Sequence, residues 1–207
     1  MRVGILGSGQ VGLILAAGFK AKGHDVLVGS RDAGKAVKLP AGVRHGTFAE
    51  AARHGEVLVL CVHGANVAEA VQAAEPDSMA GKLVLDTTNP LEFGPHGAHL
   101  PKSIPDSCLQ VAQRAAPKAK FVKAWNCTPG PHMVDPQGAP GDQLICGDDA
   151  GAKRQAAEIL ASFGWRVADV GDSSMAPYVE GTALAVINWA AKANDWGWIL
   201  RLQGRTA

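Results

Sequence analysis

The chain has 207 residues, a formal charge of +1, and acidic and basic side chains in near balance, 19 against 20. That length suffices for one domain with a proper core. The even mixing of charge leaves no basic stripe to grip nucleic acid, and no run approaches the eighteen or so apolar residues of a membrane span. Cys61, Cys108, Cys127 and Cys146 lie far apart without a Cys-x-x-Cys pair. They suggest neither a zinc site nor a redox dithiol and fit a reducing, cytoplasmic setting.

Residues 2–6 read as a buried parallel strand that runs straight into Gly7-Ser8-Gly9-Gln10-Val11-Gly12. The pattern predicts a helix over 13–22 with Gly23 as its C-cap, and a strand at 25–28 completes a βαβ unit of about thirty residues. A pyrophosphate has to lie against backbone N–H groups at a helix N-terminus, where the macrodipole also favours negative charge. Gly7 makes the turn out of the strand, Gly9 leaves room for the pyrophosphate, and Gly12 lets the helix pack closely. The same opening stretch has the apolar look of a signal peptide. The glycines and Gln10 interrupt it, and strand plus helix account for it better.

An NAD-binding fold usually closes its second strand with a carboxylate, roughly twenty residues beyond the glycines. Here that window holds Gly29-Ser30-Arg31. A guanidinium and a hydroxyl suit the extra phosphate of NADP, with Lys35 near enough to help. Two alternatives stand: Arg31 as a solvated loop cation, and NAD, for which Asp32 leaves some room.

Further strands are expected at 57–62, 83–86, 121–125, 143–146 and 166–168, and helices at 47–53, 66–74, 106–116, 150–163 and 177–193. Near-continuous apolar strands alternating with helices predict a Rossmann-type, doubly wound, mostly parallel α/β sheet over residues 1–172. Residues 173–207 form a short helical segment carrying Leu184, Ile187, Trp189, Trp196 and Trp198. That stripe has to be covered by the chain's own sheet or by a second subunit, and a homodimer is expected.

Two connections are long, 90–105 and 127–141, each with four prolines. Both leave the carboxyl ends of strands, where open α/β sheets bind ligands, and so are read as walls of a nicotinamide pocket or, more plainly, as tolerated insertions. Val62-His63-Gly64, Thr87-Thr88-Asn89 and Trp125-Asn126-Cys127 converge on the same rim. His63 either contacts cofactor or substrate or is a capped loop histidine. Asn89 and Asn126 either fix a carboxamide or ribose or are ordinary turn residues. His63 and His132 are the candidate proton donors, and Asn126, Cys127 and His132 the candidates on the substrate side. Cys127 as a nucleophile competes with its role as apolar filler. His96, His99 and His132 lack helical register and a spaced carboxylate, so no metal is expected.

The glycine loop, Val28-Gly29-Ser30-Arg31, Asn89-Pro90 and Cys146-Gly147-Asp148-Asp149 together resemble the coenzyme F(420)-dependent NADP oxidoreductases, over nearly the whole chain. The resemblance implies that Ser8, Gly9, Gln10 and Val11 line the pyrophosphate. It implies that Ser30, Arg31 and Lys35 hold the 2′-phosphate, and that His63, Gly64 and the Asn89 region neighbour the nicotinamide. It implies hydride exchange between nicotinamide and a deazaflavin ring as co-substrate. Two other readings stay open: an NADPH-dependent reductase of a small carbonyl or imine, and a non-catalytic NADP(H) sensor.

Overall fold

The computed structural model describes residues 1–34, 37–94, 97–99, 106–136 and 141–204. Its first βαβ unit comprises β1 (Arg2–Leu6), α1 (Gln10–Ala21) and β2 (Asp25–Ser30), followed by β3 (Arg44–Thr47) and α2 (Phe48–His54). The chain then returns across the sheet to β4 (Val57–Leu60), α3 (Val67–Ala73) and β5 (Leu83–Asp86). A hairpin, β6 (Glu92–Gly94) and β7 (Gly97–His99), precedes α4 (Cys108–Ala115) and β8 (Lys120–Lys123). The last elements are β9 (Asp142–Ile145), α5 (Ala150–Ser162), β10 (Arg166–Asp169) and α6 (Ala176–Ala193).

Six parallel strands run in the order β3-β2-β1-β4-β5-β8. The order reverses between β1 and β4, the switch point at which doubly wound sheets open a crevice beyond the strand ends. Both faces are covered. Val3 and Ile5 of β1 point to the side packed by α1 and α5, and Leu6 to the side packed by α2, α3, α4 and α6. This explains the unbroken apolar runs, since a strand buried on both faces has no polar side to alternate with.

Helix starts follow capping chemistry. Thr47 with Glu50 and Ser107 with Gln110 form capping boxes, and Asp149 accepts the Ala152 amide at 2.7 Å. Five strands differ from the sequence expectation. β3 was not expected, because Arg-His-Gly-Thr is an edge strand without an apolar pattern. The β6–β7 hairpin lies in what read as an unstructured loop, its strands only three residues long. β9 and β10 pair with each other in parallel, and among the described residues an antiparallel bridge between Cys146 and Lys123 joins them to the main sheet.

Helix α6 packs on its own chain. Its Asn188 donates to the Ala98 carbonyl at 2.8 Å and accepts the Ala98 amide at 3.1 Å, tying β7 to the helix. Asn194 ends the helix in the left-handed conformation, and the following segment returns to β9. There Asp142 clamps it: its amide donates to the Leu200 carbonyl, and its carboxylate takes the Leu202 amide at 2.7 Å while paired with Arg166.

Candidate active site

The chain leaves β1 at Gly7 with φ +139°, where an added Cβ would lie 2.2 Å from the Cys61 carbonyl oxygen. At Gly12 it would lie 2.0 Å from the Gly7 carbonyl oxygen. Neither position admits a larger residue without moving the loop. Gly9 caps α1 with no side chain of its own, and a Cβ there would meet nothing within 4 Å. The helix N-terminus therefore opens without obstruction onto a groove of about 210 Å³, bounded by Ser30 and Arg31 on one side and Cys61 to His63 on the other.

At the end of β2 the Ser30 hydroxyl is nearly buried and donates to the Asp32 carbonyl at 2.9 Å. Its oxygen also meets His45 Nε2 at 2.9 Å. With its own hydrogen already given to Asp32, Ser30 is the acceptor there and His45 Nε2 the donor. His45 belongs to the unexpected edge strand β3, which thus braces the second strand's last residue. The Arg31 guanidinium is exposed, and Glu69 of α3 stands 3.6 Å away. His63 caps a short turn by accepting the Ala65 amide at 3.4 Å. Gly64 lies so close to Asn89 that a Cβ would come within 2.5 Å of its carbonyl oxygen.

Beyond Gln10 and Val11 a second compartment opens, of about 450 Å³. Thr87, Asn89 and Asn126 form its floor side, the 128–131 loop one wall, and Ile187, Trp196 and Trp198 the other. The chain enters it through an unusual residue. Trp125 follows β8 with φ +61°, a conformation that costs a non-glycine residue about 1–3 kcal/mol. A fully buried indole compensates. It donates to the Met133 carbonyl at 2.9 Å and stacks edge-on against Phe19 and Phe163. The turn brings Asn126 under the rim, where Nδ2 donates to the Thr88 carbonyl at 2.9 Å and to Asn89 Oδ1 at 3.1 Å.

Beneath this rim lies a buried ionic cluster. Lys123 Nζ, fully buried, meets Asp86 at 2.8 Å, Glu180 at 2.6 Å and the Thr88 carbonyl at 2.6 Å. Burial alone would lower the Lys123 pKa, but the two carboxylates outweigh it and hold the ammonium charged, above the ordinary lysine range. Asp86 also accepts the Thr88 amide and hydroxyl, and Glu180 accepts the Cys108 amide at the start of α4. Thr88, to which Asn126 is bonded, is thereby fixed from three sides.

The expected site residues divide. Gly7, Ser8, Gly9, Ser30, Arg31, Val62 and His63 border the first groove, and Gln10, Val11, Asn89 and Asn126 the second compartment. Lys35 and His96 lie outside the described residues. Cys127 is corrected: it is buried away from the cleft, its thiol against the Val179 carbonyl at 3.5 Å and pushed up to about 12 by burial. Such a thiol stays protonated and inert. His132 sits in the turn 130–133, between Pro131 and Met133 of the compartment lining, and is not itself among the lining residues. His63 keeps its place on the rim, but in the groove with Arg31 rather than in the compartment. His99 faces Glu92 at 3.4 Å across the hairpin, and no group of residues fit to hold a metal occurs among the described residues. Nor does any helix among them have the length and apolarity to cross a membrane.

The sequence reading missed the Lys123–Asp86–Glu180 cluster, His45 and Glu69. One signal was available: a lysine amid Phe121-Val122 and Ala124-Trp125, and an aspartate ending Leu83-Val84-Leu85, are charges in strands otherwise buried throughout.

Residues 2–90 match the model of the coenzyme F(420)-dependent NADP oxidoreductase family. The F(420)-dependent NADP reductase of Methanothermobacter marburgensis is 28% identical over 220 residues, spanning 91% of this chain and 92% of that protein. The metalloreductase STEAP3 of Rattus norvegicus is 30% identical over 193 residues, 90% of this chain but 37% of that longer protein. Among solved structures, a proposed F(420)-dependent NADP-reductase from Arthrobacter sp. FB24 superposes with a TM-score of 0.90 at 30% identity, covering 99% of this chain and all of that one.

Proposed function

Because the chain belongs to the coenzyme F(420)-dependent NADP oxidoreductase family and is an NADP-dependent oxidoreductase, we propose that it passes a hydride between the nicotinamide of NADP(H) and a second flat redox ring, a deazaflavin. The residues fit the nucleotide. The backbone of Ser8 to Val11 at the open N-terminus of α1 takes the pyrophosphate, and Arg31 takes the 2′-phosphate, to which the Ser30 hydroxyl can donate once it turns from the Asp32 carbonyl. Bound NADPH supplies the hydride.

The observation that carries the second half of the proposal is the composition of the larger compartment. Among the described residues its lining holds no carboxylate, amine or imidazole. Reduction of a carbonyl or imine calls for a proton donor within hydrogen-bond reach, and among the described residues the lining offers no carboxylate, amine or imidazole for it. Exchange between two stacked rings asks chiefly for alignment and a dry site. Asn89 and Asn126, locked to Thr88, give fixed polar contacts. Pro129, Pro131, Trp196 and Trp198 give apolar walls against which a flat ring can lie.

The test is to mix protein and NADPH with deazaflavin, flavin, quinone, ketone and imine acceptors and follow the loss of nicotinamide absorbance. Oxidation confined to deazaflavin is expected. Turnover of ketone or imine would replace this reading with carbonyl or imine reduction, and silence with every acceptor would leave an NADP-binding sensor. The proposal includes a homodimer formed through α6, whose Tyr178 and Trp189 are more than half exposed. Light scattering that gives the mass of one chain would remove the dimer.

A further inference from the structure

Two polar atoms of the larger compartment have no hydrogen-bond partner although both are buried: Asn126 Oδ1 and Trp198 Nε1. Both residues line the same space. The orientation of the Asn126 amide is fixed by its partners, because Nδ2 donates to a backbone carbonyl and to Asn89 Oδ1. A flipped amide would set oxygen against the Thr88 carbonyl. Asn126 is only 5% exposed, and its free oxygen has no protein partner. The indole of Trp198 can only donate, and the Asn126 oxygen can only accept.

Leaving a buried donor and a buried acceptor unmade in one cavity is costly, and native structures seldom retain such groups without a use. The two demands are opposite in sign and are met together by a ligand bearing one acceptor and one donor. We infer that the compartment recognises an amide edge, a carbonyl beside an N–H on a planar heteroaromatic ring, with Asn126 Oδ1 taking the N–H and Trp198 Nε1 donating to the carbonyl. Ketones, quinones and carboxylates present acceptors alone and leave Asn126 unserved. The chemistry has two sources, the carboxamide of nicotinamide and the ring amide of a deazaflavin. The inference rests on the preceding proposal only in placing one of these rings in the compartment.

The selectivity is local to this chain's own residues. Trp198 is delivered by the segment that follows α6 and is clamped at Asp142, whereas Asn126 is delivered by the left-handed turn at Trp125. Two remote stretches thus supply the two halves of one contact. The remaining unpartnered atoms, His132 Nδ1 and Gln143 Oε1, belong to residues outside the lining.

Binding measured by calorimetry tests this without turnover. One pair of probes is NADP and its 3-acetylpyridine analogue, which keeps the carbonyl and replaces the amide nitrogen by a methyl group. The other is a 5-deazaflavin and its N3-methyl derivative. The wild-type protein is expected to prefer the N–H member of one pair by about five- to tenfold, the worth of one hydrogen bond. Asn126→Ala should reduce that preference to less than about twofold. Trp198→Phe, which keeps an aromatic wall and removes only the donor, should weaken both members of the pair by the same factor, about five- to tenfold. The pair that responds identifies the source. Binding of NADP or deazaflavin without discrimination in either pair overturns the inference and leaves the proposed function standing. Failure to bind either parent probe overturns both.

Discussion

The groove beside the glycine loop is shaped by main chain and by exposed, loosely held charges, whereas the compartment under Trp196 and Trp198 rests on charges withdrawn from solvent. Arg31 and Glu69 stand 3.6 Å apart in water, a pair worth about 0–1 kcal/mol. Little is lost when the guanidinium turns to a phosphate. Lys123, Asp86 and Glu180 cannot turn to anything, because each would leave a charge unpaired in the core. The groove proposed for the nucleotide is therefore adaptable, and the compartment proposed for the rings is stiff.

The contrast is broken most severely at Lys123. Lys123→Met strands two buried carboxylates and should cost about 3–5 kcal/mol in urea unfolding, while the concerted change Lys123→Met with Asp86→Leu and Glu180→Met should recover most of it. A single-variant loss under about 1 kcal/mol would show that the cluster is not dry. Arg31→Glu comes next. It should weaken NADPH by about 10- to 100-fold and NADH by less than about twofold, since only the former sets a phosphate against the new carboxylate. Equal losses would remove Arg31 from phosphate recognition. His45→Phe sharpens the comparison on the adaptable side. Without the bond from His45 Nε2, Ser30 loses its brace, and the KM for NADPH should rise about two- to tenfold with kcat unchanged. An unaltered KM would show that Ser30 keeps its rotamer unaided.

The smallest expected effect concerns pH. Burial pushes the Asp142 carboxyl upward, but the bonds from Arg166 and the Leu202 amide more than offset it and leave its pKa below the ordinary aspartate value. A carboxylate so lowered adds stability that is present above its unfolded pKa and lost as pH falls through the folded one. Asp142→Asn should therefore flatten the acid limb of the urea midpoint between neutral pH and about pH 3. A limb of unchanged slope would mean that the returning segment is held by other contacts.

What could be read in the sequence follows the same division. Gly7, Gly9 and Gly12 work through backbone space, and Ser30 and Arg31 sit at a fixed distance from them, so local spacing alone pointed to the groove they border. The six-stranded core was legible because strands buried on both faces write unbroken apolar runs. The larger compartment was legible only in outline. Asn126 was singled out, but its partner Trp198 lies 72 residues further along, and nothing local indicates that the segment after α6 returns. Cys127 was overvalued because adjacency to Asn126 was mistaken for a shared direction; the left-handed turn at Trp125 sends one toward the cleft and the other into the packing of α6. Edge strand β3 carries no apolar alternation, and its His45 could not be placed before the strand was.

The buried ion cluster also constrains descent. A lineage can exchange those three side chains for neutral ones only by way of an intermediate harbouring an orphaned charge, so across relatives they should covary as a block, while Arg31 and Glu69 drift independently of each other.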